Sequence, residues 1–138
     1  MAEGGGYARM RALQRAIRRR RRHSLDGSEL AHRITDIVEE HQASNISLLD
    51  LRDITPLADY FVICSVDSER QARALMEILV QELKQESVRP LSTEGEAASG
   101  WLLADYNTVV AHIFTRDARA YYRLDELWGA APVVVRIP

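Results

Sequence analysis

At 138 residues, with 46% hydrophobic and 28% charged side chains, the chain has the length and composition of one soluble globular domain and is too short for an elaborate multi-domain enzyme. Its formal net charge of −2 hides a division: residues 1–26 carry eight Arg against Glu3 and Asp26, or +6, while residues 27–138 carry ten basic and eighteen acidic side chains, or −8. The lone Cys64 excludes an internal disulfide, no CxxC or HxxxH spacing offers a metal site, and no apolar run approaches the roughly 20 residues that cross a bilayer, so a soluble protein of a reducing compartment is expected, with no membrane partner.

Residues 1–26 read as a basic, flexible tail and residues 27–138 as the folded domain. In the tail, Tyr7, Met10, Leu13 and Ile17 share one stripe of a candidate helix, and Arg18, Arg19, Arg20, Arg21 and Arg22 follow in an unbroken run. A solvated, disordered arm is one reading of this segment. Contact of the five arginines with RNA phosphates is another, and an Arg-rich organellar targeting peptide is a third, which the scarcity of Ser disfavours.

Ser28 is a plausible N-cap for a helix to about Gln42, with Leu30, Ile34, Ile37, Val38 and His41 on one face. Asn45 introduces the β-rich ISLLDL; a turn over Asp53 to Pro56 precedes DYFVICSV, an almost continuous apolar run of strand length that implies cover on both faces. Ser68 and Gln71 form a capping-box pattern ahead of a helix whose Ala72, Leu75, Met76, Leu79, Val80 and Leu83 make one apolar wedge. Pro90 ends that region, and a loop holding Glu94, Gly95 and Gly100 leads into WLLADYNTVVAHIF, two strands joined near Tyr106 and Asn107. Residues 117–128 predict a further helix with Ala118, Tyr121, Leu124 and Trp128 inward and Gly129 at its close, and Val133 to Val135 suit a short last strand. The order is that of an α/β or α+β domain, one mixed β-sheet with packed helices and no internal repeat.

Taken in order, DYFVICS, SERQ opening a helix, EGE, WLLADYNTVVAHIF and RxYYRLDELWG, from about Glu29 to Trp128, resemble the ribosomal silencing factor family, also called Iojap. The resemblance implies a mixed sheet flanked by helices, similar to a nucleotidyltransferase core without its catalytic residues, with no enzymatic activity, no cofactor and no metal. It also implies a partner, the large ribosomal subunit, bound through its universal protein fourteen so that the small subunit cannot join when nutrients are short. A bacterial cytoplasm is the first expectation for location and an organelle the second. An acidic body suits a basic ribosomal protein, because complementary potentials speed encounter and fix register. Where the family has Gly and then an acidic residue after the Asp-Tyr of the hairpin, this chain has Asn107 and Thr108. Asn tolerates positive φ, so the turn survives, and one acidic contact of the partner face is lost.

Trp101, Leu103 and Asp105 alternate on one side of the first hairpin strand, and Leu102 and Ala104 on the other. Trp101 as core with Asp105 capping the turn is one reading; a partner surface of aromatic anchor and carboxylate is the other, favoured by the family resemblance. Tyr106 at the hairpin tip, His112 mid-strand and Tyr122 on the edge of its helix complete the candidate partner-binding set. For His112 a hydrogen-bonded place in the core is the alternative. A face kept for a partner also allows a homodimer of the free protein.

Two other functions have definite signatures. Nucleotide transfer needs clustered carboxylates near a Gly-Ser turn, yet Asp50 and Asp53 stand alone at a strand end, and SVDSER contains no Gly. Direct RNA binding through the tail would give affinity without sequence choice, and the body carries no RNA-binding motif.

Overall fold

The computed structural model describes residues 9–10 and 26–138; of the candidate tail helix it describes Met10, helical and exposed, while Tyr7, Leu13, Ile17 and Arg18 to Arg22 lie outside the described residues. From Asp26 onward the chain forms α1 (Gly27–Glu40), β1 (Ser44–Asp50), β2 (Tyr60–Val66), α2 (Glu69–Gln85), β3 (Ser92–Glu96), a single 3₁₀ turn (Ala97–Ser99), β4 (Trp101–Asp105), β5 (Val109–Thr115), α3 (Arg116–Tyr122), α4 (Leu124–Leu127) and β6 (Val133–Ile137). The six strands make one mixed sheet in the order β3-β4-β5-β2-β1-β6, antiparallel except for the central β2–β5 pair. This is the mixed sheet with packed helices expected from the sequence.

Every residue of β2 is buried, as its unbroken apolar run requires of a strand covered on both faces. On one face lie α1 and α2, whose Leu30, Ile34, Ile37 and Val38, and Ala72, Leu75, Leu79 and Leu83, pack onto Ile46, Leu48, Val62, Cys64, Ala104, Ala111 and Ile113. The opposite face holds a smaller core of Leu49, Phe61, Ile63 and Phe114, closed by Ala118, Leu124 and Ala131. Asp26, not Ser28, caps α1 by accepting from the Glu29 N–H at 2.8 Å; its short carboxylate precedes the first turn, which Ser28 already belongs to. In α2 the Ser68 hydroxyl accepts from the Gln71 N–H at 3.0 Å, and the Gln71 side chain accepts from the Asp67 N–H at 2.8 Å, a capping box displaced by one residue.

Two elements depart from the sequence reading. The segment Ser92–Glu96, expected as loop, is an edge strand paired with β4; polar on both faces, it carries no hydrophobic alternation to betray it. The single helix expected over 117–128 is broken at Arg123, which takes φ 53° and starts α4 afresh. The short helix before the break turns Ala118 and Arg119 inward, and Tyr121 points outward at 79% exposure instead of into the core.

Candidate partner-binding face

Register fixes which strand residues share the second face. Opposite Phe114, His112 and Val110 of β5 stand Trp101, Leu103 and Asp105 of β4, and opposite Trp101 and Leu103 on the edge strand stand Glu96 and Glu94. At the Trp101 end of this row the Thr115 N–H donates to the Gly100 carbonyl at 2.8 Å. Gly100 has φ 78°, and a Cβ there would come within 2.5 Å of Thr115 Oγ1 and 2.7 Å of Ala118 Cβ, so only glycine lets β4 start against the N-terminus of α3.

An aromatic cluster results. The Trp101 ring stacks on Phe114 at 5.1 Å between centroids, meets Tyr122 at 4.8 Å and donates its Nε1–H to His112 Nδ1 at 3.1 Å. His112 in turn sets its edge on Phe61 at 4.5 Å, and Trp128 stands edge-on to the same ring at 5.7 Å. Tyr121 adds a perpendicular contact to Tyr122 at 5.1 Å. Trp101, Leu103 and Asp105 are half-buried, while Tyr121, Tyr122 and Leu127 are exposed, so the cluster reaches solvent along one side. Aromatic rings with a polar edge, rigid and partly wet, are the groups that carry binding energy at protein interfaces.

The sequence-derived site residues divide on this geometry. Trp101, Leu103, Asp105 and Tyr122 come together on the second face. Tyr106 does not: it is 6% exposed and packs in the helix-side core with Leu102 and Ala104, because the alternation of β4 continues to it, which corrects the reading of it as an exposed contact at the hairpin tip. His112 is 4% exposed and accepts the Trp101 indole N–H, the hydrogen-bonded core place that the sequence held as the alternative. Asp105 keeps one oxygen in the turn, Oδ1 accepting from the Asn107 N–H at 2.7 Å, and Asn107 takes φ 79°, the left-handed conformation that its side chain tolerates in place of glycine. Glu94, Glu96 and Tyr121 belong to the face and were missed. The repeated acid in Glu94-Gly95-Glu96 was the signal for the first two, since residues two apart on a strand share a side.

Burial sets the chemistry of the groups inside. It pushes the His112 imidazole down to about 3, which leaves the ring neutral; with Nδ1 accepting from Trp101, the proton sits on Nε2, a buried nitrogen without a hydrogen-bond partner among the described residues. Burial pushes the Tyr106 phenol up to about 12 and the Cys64 thiol up to about 12, so Cys64 is an inert packing residue. On the far side of the molecule, Glu40, His41 and Glu82 bring ligand atoms within 4.8 Å of one another, with His41 Nε2 bonded to Glu82 Oε2 at 2.9 Å, which makes an ion pair when the ring is protonated.

Comparison with known proteins agrees with the sequence motifs. Residues 24–137 match the family model described as ribosomal silencing factor during starvation. A ribosomal silencing factor from Halalkalibacterium halodurans is 34% identical over 110 residues, covering 80% of this chain and 94% of that protein. A mouse protein named for mitochondrial assembly of the ribosomal large subunit is 29% identical over 98 residues, 69% of this chain and 43% of its own. A crystal structure of a Chromobacterium violaceum protein superposes with a TM-score of 0.72 at 28% identity, over 76% of this chain and 88% of that one. The chain therefore belongs to the ribosomal silencing factor family, RsfS.

Proposed function

We propose that the chain docks on the large ribosomal subunit through its universal protein fourteen and blocks small-subunit joining by bulk alone, repressing translation when nutrients are short. The observation that carries this reading is the half-exposed aromatic cluster of Trp101, Tyr121 and Tyr122 bordered by Glu94, Glu96 and Asp105. Desolvated aromatic anchors supply affinity, and a carboxylate rim selects a basic surface such as a ribosomal protein presents. No bond is made or broken in this mechanism, and it calls for no cofactor. A bacterial cytoplasm is its setting, with an organelle second. In the free protein the same face serves for pairing of two copies at high concentration, and the Arg18 to Arg22 run adds contact with RNA phosphate.

Co-sedimentation of the purified protein with separated subunits, beside a subunit-joining assay, tests the proposal. Selective binding to the large subunit with fewer joined ribosomes is the expected result. Failure of the folded protein to bind overturns it and reopens nucleotide transfer. A chain lacking residues 1–26 that still binds at moderate salt places the docking energy in the body rather than the arginine run.

A further inference from the structure

The body is acidic, yet three of its arginines gather at one place. Arg116, Arg119 and Arg136 line a cleft of about 370 Å³ together with Asn45, Ser65 and Asp125. Arg119, 8% exposed, is the floor of the cleft: Nε and Nη2 hold Asp125 in a bidentate pair at 3.0 and 2.8 Å, while Nη1 donates to the Asn45 carbonyl and to Ser65 Oγ. Burial raises the Asp125 carboxyl, but the hydrogen bonds and charge of Arg119 outweigh it and hold the group below its ordinary value, so Asp125 stays ionised and neutralises this guanidinium. The two walls are different. Arg116 reaches Asp67 at 2.7 Å and Ser44 at 3.2 Å across an exposed surface, and Asp67 is itself 72% exposed. Arg136 is exposed on β6 and forms no ion pair with any described residue.

We infer that this cleft is a phosphate site, taking a backbone phosphate of RNA between Arg116 and Arg136. Planar guanidinium forks lining one cleft suit a tetrahedral oxyanion, and at the floor Asp125 holds the Arg119 guanidinium in place. RNA is favoured over a small phosphate ester because the cleft is open and its outer guanidiniums share their charge with the Asp67 and Asp125 carboxylates, too little to retain a lone ion. A domain already docked beside RNA gains the contact at high effective concentration. The placement fits: α3 sets Arg116 and Arg119 toward β1 and β6 and Tyr122 toward β4, so the cleft and the aromatic face lie on either side of one helix, about 10 Å across. The ribosomal source of the RNA rests on the proposed docking, whereas the phosphate chemistry does not.

The test compares the full chain with Arg116→Gln/Arg136→Gln and with Asp67→Asn, measuring affinity for large subunits and for a single-stranded RNA dodecamer from 50 to 200 mM salt. Each phosphate neutralised contributes roughly 0.7 to 0.9 to the slope of log affinity against log salt, so loss of this one phosphate in the double variant is expected to flatten that slope by about 0.7 to 0.9 with both probes. Across this fourfold salt range the parent then loses about threefold more affinity than the variant. Asp67→Asn, which frees Arg116, steepens the slope. The arginine run at residues 18–22 is common to all three proteins and cancels. Equal slopes for parent and double variant on RNA overturn the site, whatever the subunits do. Binding of RNA but not of subunits, with the slope change intact, keeps the cleft and sinks the docking proposal. Saturation of the Arg116 and Arg136 Nε–H resonances by sub-millimolar inorganic phosphate overturns the RNA source in favour of a small phosphate compound.

Discussion

Replacing Trp101 by alanine separates packing from docking. The half-buried indole stacks on Phe114 and Tyr122 and donates to His112, so truncation removes part of a large side chain's burial, two ring contacts and one hydrogen bond. Partial burial accounts for about 1 kcal/mol, the ring contacts for about 1 more and the hydrogen bond for about 1, since His112 is left with neither nitrogen bonded. A loss near 3 kcal/mol leaves a domain of ordinary stability folded, because such domains unfold at about 5 to 15 kcal/mol. Docking should fall by about 2 to 4 kcal/mol, a factor of roughly 30 to 1,000. Trp101→Phe keeps the stacking and loses the donor, so it should cost about 1 kcal/mol in stability and less than tenfold in binding. Urea unfolding followed by far-ultraviolet circular dichroism gives the first quantity and co-sedimentation with large subunits the second. If the alanine variant loses less than about 0.5 kcal/mol, the indole is not packed as described. If it unfolds as calculated but binds like the parent, it is no anchor.

Acid lability follows from His112. Its folded value, near 3, lies below its ordinary 6.5, so between these the unfolded chain binds more protons and stability falls as pH drops, by up to about 1.4 kcal/mol per pH unit. His112→Leu should flatten that part of the pH profile of unfolding; an unchanged profile would show that the ring titrates normally. Gly100→Ala should cost at least about 2 kcal/mol, because it combines a positive φ with a Cβ driven against Thr115 and Ala118, and a melting temperature within a degree of the parent would refute the clash. Tyr106→Phe removes a buried hydroxyl that has no partner among the described residues, so stability should hold or rise and subunit binding should not change. A tenfold loss of binding would restore Tyr106 to the partner face.

Periodicity carried most of the fold. The wedge from Ala72 to Leu83, the buried run Tyr60–Val66 and the hairpin around Asn107 all have one residue pattern and one structural solution. What escaped had no such pattern. The strand Ser92–Glu96 is held by backbone pairing to β4 at the sheet edge, where side-chain hydrophobicity is not required. Arg123 breaks the last helix by a single left-handed residue of a type that rarely adopts it, and the short helix before the break buries Ala118 and Arg119 while both Tyr121 and Tyr122 stay exposed. The site was legible in part for the same reason. Alternation put Trp101, Leu103 and Asp105 on one side and, carried one residue further, puts Tyr106 with Leu102 and Ala104 on the other, while His112 was legible as a strand residue without its cover by Trp101. The arginine cleft was not visible at all, since Asn45, Ser65, Arg116 and Arg136 come from four separate elements.

A steric blocker must hold a fixed orientation, because its bulk excludes the small subunit only if it points where that subunit arrives. One aromatic anchor fixes position but leaves rotation about the contact; a second contact on the other side of α3 would remove it. The arginine cleft is placed to supply that second point. Occupancy and inhibition should therefore separate. At protein concentrations that saturate the large subunit, Arg116→Gln/Arg136→Gln should remain bound through the aromatic face yet permit more subunit joining than the parent, as read by light scattering. Trp101→Ala should recover full inhibition once its concentration is raised to restore occupancy. Equal inhibition by the double variant and the parent at equal occupancy would mean that the aromatic face sets orientation unaided, and the cleft would then contribute affinity alone.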